Sequence, residues 1–106
     1  MKKSVFGVLY TKEARRNIEK LDPSVKALVK KAIESLAVDP EKGKPLSHDL
    51  AGLRSLRTSD YRVIYRIRGG ELVIIVVTVG HRRDIYKKLR ELLSHAGRAY
   101  ERKGGT

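Results

Sequence analysis

The chain contains no cysteine and no tryptophan, and its aromatic residues are five tyrosines and one phenylalanine. Without cysteine, disulfide bonds, thiolate nucleophiles and cysteine-ligated metal sites are excluded. No segment approaches the roughly 18 continuous apolar residues that a membrane span requires. The apolar run near the N-terminus is also too short for a signal peptide. From these absences we expect a cytoplasmic protein.

Acidic residues are scarce as well. The chain has 12 Asp and Glu against 24 Lys and Arg, a formal net charge of +12. Such an excess favours a polyanionic partner, either nucleic acid or an acidic protein. From Leu53 to Tyr86 every basic side chain except His81 is an arginine. Because the planar guanidinium binds phosphate through two parallel hydrogen bonds, this segment indicates phosphate recognition, with general surface charge as the alternative.

The 106 residues fit a single domain. Apolar periodicity predicts the element order β-α-α-β-β-β-α, with strands over residues 4–10, 53–58, 61–68 and 72–79. The helices are predicted to start near Thr11, near Pro23, and near Arg83 or Asp84. The predicted fold class is α+β, an antiparallel sheet of about four strands with a helical hairpin on one face and the C-terminal helix at the edge. Residues 1–96 are expected to form the domain, and residues 97–106 a flexible basic tail.

Side-chain alternation separates the two faces of the strand from Tyr61 to Arg68. Tyr61, Val63 and Tyr65 are expected to face the helical hairpin. The alternate residues Arg62, Ile64, Arg66 and Arg68 then face the other way, with successive arginines on this face, such as Arg66 and Arg68, roughly 7 Å apart at the usual strand rise. We expect Arg57 to lie on the same face as Arg62 and Arg54 to lie nearer the helical hairpin or an edge.

A second polar cluster follows the most apolar strand, after Gly80. It contains His81, Arg82, Arg83 and Tyr86. Because the preceding strand is expected to neighbour Arg62, we predict that this cluster converges with Arg62 on one arginine-rich face. Each residue taken singly has an ordinary structural explanation, and only their coincidence favours a functional site.

The sequences DYRVIYRI (60–67) and VTVGHRRDIY (77–86) together resemble the RelE family of toxins from type II toxin–antitoxin modules. The resemblance extends over roughly residues 4–95 and implies the β-α-α-β-β-β-α fold. One departure is that members carry lysines on the strand before the YR motif, where this chain has Leu53 and Ser55. Arg54, Arg57, Lys42 or Lys44 are candidates to supply that charge. The related ParE-type toxins share the fold and act on DNA gyrase.

The resemblance implies a ribosome-dependent endoribonuclease that cleaves messenger RNA without a metal or other cofactor. It also implies two partners, an acidic RelB-like antitoxin and the 70S ribosome with its mRNA and rRNA. The catalytic residues implied by position are Arg62, Arg82, Tyr86 and His81. The expected RNA-binding residues are Arg57, Arg54, Arg66, Arg83, Lys44, Lys87 and Lys88.

The hypothesis for the chemistry uses the 2′-hydroxyl of RNA as the nucleophile. Tyr86 is assigned as the base or as a platform for a base, with Arg62 and Arg57 clamping the phosphate. Arg82 is expected to stabilise the leaving 5′-oxygen, and either His81 or Arg82 donates the proton to it. The alternatives are a non-enzymatic gyrase inhibitor of the ParE type and a basic RNA-binding module without catalysis. A binding module would need exposed stacking aromatics, and this chain has few.

Overall fold

The computed structural model describes the backbone of residues 5–104 and the side chains of residues 5–94. Its elements are β1 (Gly7–Tyr10), α1 (Lys12–Glu19), α2 (Pro23–Val38), β2 (Lys44–Pro45), β3 (Arg54–Thr58), β4 (Tyr61–Arg68), β5 (Val73–His81) and α3 (Ile85–Gly104). The predicted order of elements is confirmed, with the short strand β2 added. No helix among the described residues is long and apolar enough to cross a membrane.

The five strands form one sheet in the order β1-β5-β4-β3-β2. β1 runs parallel to β5, and every other neighbouring pair is antiparallel. The α+β class is confirmed. The strand count exceeds the prediction because Lys44 and Pro45 pair with Ser55 and Arg54, in a segment where no strand was predicted.

The helical hairpin of α1 and α2 covers one side of the sheet, which we call the hairpin face. Thr11 caps α1 by accepting a hydrogen bond from the amide of Ala14, and Pro23 opens α2 at its first turn. The buried core on this side contains Ala14, Ile18, Val29, Ile33 and Leu36 from the helices and Val63, Tyr65, Ile74, Val76 and Val79 from the sheet. The predicted direction of Val63 and Tyr65 is therefore confirmed.

The other side of the sheet is partly covered by α3, and we call it the α3 face. Ile85 and Leu89 of α3 pack with Ile64 of β4 in a second buried cluster that also holds Leu50 and Leu53. The predicted position of the C-terminal helix at the edge of the sheet is therefore wrong. The reason is Ile64, an apolar side chain between two arginines on this face, which is fully buried against Ile85 and Leu89 of α3 together with Leu50 and Leu53.

Several boundaries differ from the predictions. Residues 69–72 connect β4 to β5, and β5 begins one residue later than predicted, because the turn continues to Leu72, whose φ of 54° is left-handed. α3 continues to Gly104, through most of the expected tail. The flexibility expected for residues 97–106 stays a prediction, and residues 105 and 106 lie outside the described residues.

The first helix also protects the edge of β5 where β1 ends. The hydroxyl of Thr11 donates to the carbonyl of Val77 at 2.6 Å. The Oδ1 atom of Asn17 accepts hydrogen bonds from the amide of Val79 at 3.0 Å and from the hydroxyl of Thr78 at 2.9 Å. Side chains of α1 thus take the place of a neighbouring strand along this edge.

Replacing Asn17 with alanine is therefore expected to lower the free energy of unfolding by about 1–3 kcal/mol, because the amide of Val79 loses its acceptor in a partly buried setting. Urea denaturation of Asn17→Ala measures this. The exposed Lys12→Ala variant in the same helix is the control and should change the free energy of unfolding by less than about 0.5 kcal/mol. Equal stabilities for the two variants would contradict the edge-capping role.

Candidate active site

A basic cleft of about 270 Å³ opens beside β2, β3 and β4. We use the name basic cleft for the space lined by Lys42, Gly43, Lys44, Ser55, Leu56, Arg57 and Arg62. Four of these side chains are cationic, and none of the seven is acidic. A cleft lined by one sign of charge attracts an anionic ligand.

Strand register brings three of these cations, Lys44, Arg57 and Arg62, to the same side of the sheet. Arg57 lies directly opposite Arg62, and Ser55 lies between Lys44 and Ile64 on the neighbouring strands. Side chains directly opposite each other have Cβ atoms about 5 Å apart, and like charges at that distance destabilise the pair. An anion bound between Arg57 and Arg62 would relieve this repulsion.

Arg62 is a half-buried cation of the basic cleft. Its Nε atom is buried and has no hydrogen-bond partner among the described residues. No carboxylate in the described part of the chain forms an ion pair with Arg62 or with Arg57. A buried donor without an acceptor is costly. Arg62 is therefore arranged to receive its acceptor from outside the described residues.

Tyr86, in the first turn of α3, lies next to Arg62. The guanidinium carbon of Arg62 is 5.8 Å from the centre of the Tyr86 ring, a cation–π distance. The hydroxyl of Tyr86 donates to Oγ of Ser55 at 3.4 Å, a long and therefore weak hydrogen bond. The ring is partly exposed and packs against the cluster under α3. The structure thus brings Arg62, Arg57, Tyr86 and Ser55 together.

The predicted convergence of His81 with Arg62 is wrong. His81 is the last residue of β5 and lies opposite Tyr61, whereas Gly80 lies opposite Arg62. The rings of His81 and Tyr61 make an edge-to-face contact at 5.7 Å. By strand alternation His81 shares the side of Val79, which is the hairpin face. Its Nδ1 atom accepts a hydrogen bond from the amide of Arg83 at 3.3 Å.

Arg82 lies in the turn between β5 and α3, close to the turn that joins β3 to β4. Its amide donates to the carbonyl of Asp60 at 2.8 Å, and its Nε atom lies 3.7 Å from the Asp60 carboxylate. Both side chains of this ion pair are about half exposed, at 43% and 60%. Exposed ion pairs contribute little, about 0–1 kcal/mol, so Arg82 can exchange Asp60 for another anion.

The other predicted RNA-binding residues divide between the cleft and the general surface. Arg57 and Lys44 line the basic cleft. Arg54 does not, because its guanidinium turns away and donates to the carbonyls of Glu41 and Gly43. The remaining exposed cations lie outside the cleft, namely Arg66, Arg83, Lys87 and Lys88.

Two residues of the cleft were underestimated from the sequence. Ser55 stands where a lysine was expected, but it contacts Tyr86 and lies directly opposite Lys44 on β2. Lys42 was only one of several candidates for the missing charge. The available signal was the pattern KGK, because a glycine between two lysines indicates close approach of the backbone to another part of the protein. Within the described residues, no group of three or more His, Asp or Glu side chains could hold a metal ion.

Comparison with known proteins places this arrangement in a family. A family model described as the ParE toxin of the type II toxin–antitoxin system parDE matches residues 8–86. The chain belongs to this toxin family. The match covers the hairpin, the sheet from Val8 onwards and Tyr86, so it includes every residue that lines the basic cleft.

Relatives within the family carry RelE-type names. The chain is 39% identical to Toxin RelG of Mycobacterium tuberculosis over 85 residues, covering 78% of this chain and 98% of the relative. It is 33% identical to Toxin RelE of the same organism over 84 residues, covering 77% and 87%. The resemblance to the RelE family is thus confirmed.

Solved structures agree with the fold. The toxin–antitoxin complex RelBE2 from M. tuberculosis contains a chain that matches with a TM-score of 0.71 and 36% identity, over 76% of this chain and 95% of that one. The isolated Escherichia coli RelE toxin matches with a TM-score of 0.63 at 20% identity, over 83% and 98%. At that lower identity the likeness supports the fold alone.

Proposed function

We propose that this toxin is an endoribonuclease that cleaves messenger RNA on the ribosome and so inhibits translation. The observation that carries the proposal is Arg62, whose buried Nε atom lacks an acceptor while its guanidinium lies against Tyr86. A phosphodiester bound there would satisfy Arg62, separate it from Arg57 and meet the hydroxyl of Tyr86 in one place. The RelE and RelG names of the relatives support the same activity.

The proposed reaction uses groups of the RNA and of this chain, with water supplying one proton. Tyr86, acting as the phenolate, takes the proton of the 2′-hydroxyl, the 2′-oxygen attacks phosphorus, and the bond to the 5′-oxygen breaks. Arg82 stabilises the leaving 5′-oxygen, which takes a proton from water to give a 2′,3′-cyclic phosphate and a 5′-hydroxyl end. The hydroxide left by that water then returns Tyr86 to the phenolate. Arg62 and Arg57 stabilise the charge that develops on the phosphorane oxygens. Such donors contribute most when they are already in place before the reaction.

We assign the stabilisation of the leaving 5′-oxygen to Arg82 in preference to His81. Arg82 follows the end of β5, two residues after Gly80, which is directly opposite Arg62, and its weak contact with Asp60 leaves it available. His81 lies against Tyr61 on the hairpin face, so a direct proton transfer from its ring to the cleft would require a change of conformation. We therefore expect a smaller role for His81 than for Arg82.

Two partners follow from this function. An acidic RelB-like antitoxin would neutralise the toxin by covering the basic cleft, and the complexes of related toxins with RelB support such a partner. The ribosome would present the mRNA. Arg66, Arg83, Lys87 and Lys88 would contact the surrounding rRNA, each adding one salt-dependent phosphate contact.

A second candidate function is inhibition of DNA gyrase without catalysis. The matching family model is described as the ParE toxin of the parDE system, and this match favours the gyrase-inhibitor function. The two functions make opposite demands on the cleft. Cleavage requires Arg62 and Tyr86 to act together on one phosphate, whereas a gyrase inhibitor needs only a surface that fits the enzyme.

The purified toxin added to a translating extract is expected to cut the mRNA at defined positions, seen by primer extension, and to leave 2′,3′-cyclic phosphate ends. It should have no effect on gyrase supercoiling of plasmid DNA in a parallel assay. The matched control is the same toxin mixed beforehand with its antitoxin. Inhibition of supercoiling with intact mRNA would overturn the proposal in favour of the gyrase inhibitor.

A further inference from the structure

A buried tyrosine holds the segment that carries two of the cleft lysines. Tyr65 in β4 is fully buried on the hairpin face. Its hydroxyl donates to the carbonyl of Pro40 at 2.6 Å and accepts from the amide of Gly43 at 3.0 Å. The two bonds enclose Glu41 and Lys42, so a single hydroxyl fixes both ends of the turn between α2 and β2.

The contact between this segment and the sheet leaves no room for a side chain at Gly43. A Cβ atom there would lie 2.7 Å from the Tyr65 hydroxyl oxygen and 2.9 Å from the carbonyl oxygen of Ser55. Arg54 adds a second attachment, because its Nη2 atom donates to the carbonyls of Gly43 at 2.7 Å and Glu41 at 3.1 Å. The turn is therefore held by two side chains of neighbouring strands.

The residues held in this way face the basic cleft. Lys42 and Lys44 are exposed and line it together with Arg57 and Arg62, and Lys44 is directly opposite Ser55. Tyr65 itself does not line the cleft. Lysine side chains have large rotational freedom, so their contribution to binding depends on how well the backbone beneath them is fixed.

We propose that Tyr65 is a positioning residue that holds Lys42 and Lys44 in place to bind the RNA backbone in the basic cleft. This inference rests on the proposed function and extends it, since it names the lysines that bind the substrate and the groups that orient them. Arg54 supports the same turn, which explains why an arginine predicted to contact RNA is turned away from the cleft.

The test is RNA binding by the Tyr65→Phe variant, which keeps the ring in the core and removes only the hydroxyl. The probe is a single-stranded RNA oligonucleotide fully 2′-O-methylated, so that it cannot be cleaved, and binding is followed by fluorescence anisotropy between 50 and 200 mM salt. The variant is expected to bind about ten-fold more weakly at 0.1 M salt. The slope of log affinity against log salt should become shallower by about 1.4, the loss of two phosphate contacts.

A positioning role predicts that the effects do not add. The Lys42→Ala, Lys44→Ala double variant should show the same loss of slope, and adding Tyr65→Phe to it should cause no further loss. Tyr10→Phe, which removes a hydroxyl from β1 instead, is the control and should retain the wild-type slope. A wild-type slope for Tyr65→Phe, or additive losses in the combined variant, would overturn the inference.

Two further measurements keep the outcome decisive. If Tyr65→Phe unfolds, Gly43→Ala replaces it, because the added Cβ pushes the same turn away from the Tyr65 hydroxyl. The same change of slope is expected, and an unchanged slope contradicts the inference. A wild-type protein that binds the oligonucleotide without any salt dependence would instead contradict the proposed RNA substrate itself.

Discussion

Arg62→Ala is expected to reduce mRNA cleavage by about two to three orders of magnitude, the usual effect of removing one donor from a transition-state oxyanion. Arg62 has no acceptor for its buried Nε atom within the described residues, and it contacts the Tyr86 ring. Its loss therefore removes a donor that is already in place when charge develops on the phosphorane. Primer extension in a translating extract, quantified over a range of toxin concentrations, measures the loss.

Two matched variants separate charge from position. Arg66→Ala removes an arginine from the same strand and the same face, beyond Ile64, and should weaken cleavage only slightly. Arg62→Lys keeps the positive charge but loses the planar fork, so it should recover only part of the activity. If Arg66→Ala impaired cleavage as strongly as Arg62→Ala, the effect would come from general positive charge and not from a defined phosphate site.

A folding defect must be excluded for the Arg62 variant, because this side chain is half-buried next to the α3 cluster. Thermal unfolding followed by circular dichroism should show a cooperative transition close to that of the wild type. Removal of a cation that faces Arg57 also relieves like-charge repulsion, which offsets the lost packing. A stable but inactive variant is therefore the expected combination.

The faces of the sheet could be predicted from the sequence because a half-buried strand alternates with a period of two residues. In β4 this alternation correctly assigns Val63 to the hairpin and Arg62 to the opposite side. The sequence did not lead us to predict that α3 covers this opposite side. Ile64 was the available signal, because a branched apolar side chain between two arginines requires a cover, and α3 provides it.

His81 shows how a strand boundary changes a functional prediction. The sequence placed the end of β5 at Val79, so His81 was grouped with Arg82 and Tyr86 in the following turn. The strand continues to His81, and its alternation therefore directs the histidine to the side of Val79. A difference of two residues at a strand end moved one predicted catalytic side chain to the other face.

The basic cleft also depends on a contact that sequence spacing does not reveal. Tyr65 and Gly43 are 22 residues apart, and their hydrogen bond fixes where Lys42 and Lys44 lie. Pairing of β2 with β3 then places Lys44 opposite Ser55. A cation on the adjacent strand thus lies opposite the β3 position where a lysine was expected, which no alternation within β3 could indicate.

Tyr86→Phe is expected to reduce cleavage by about two to four orders of magnitude, the range for loss of a general base. The substitution keeps the ring, and with it the packing under α3 and the cation–π contact with Arg62. It removes only the hydroxyl, which donates to Ser55 at 3.4 Å. Binding of the 2′-O-methylated RNA oligonucleotide should be nearly unchanged, because the phosphate contacts of Arg57, Arg62 and the lysines remain.

Ser55→Ala is the matched control, because Ser55 is the only hydrogen-bond partner of the Tyr86 hydroxyl within the described residues. Because the 3.4 Å contact is long, its loss should alter cleavage by less than about ten-fold. A Tyr86→Phe variant that cleaves like the wild type would exclude proton transfer by the hydroxyl. The ring would then act only as a platform, and Tyr86→Ala alone would abolish cleavage. A large loss in Tyr86→Phe with normal RNA binding instead assigns the chemistry to the phenol, since no other group is removed.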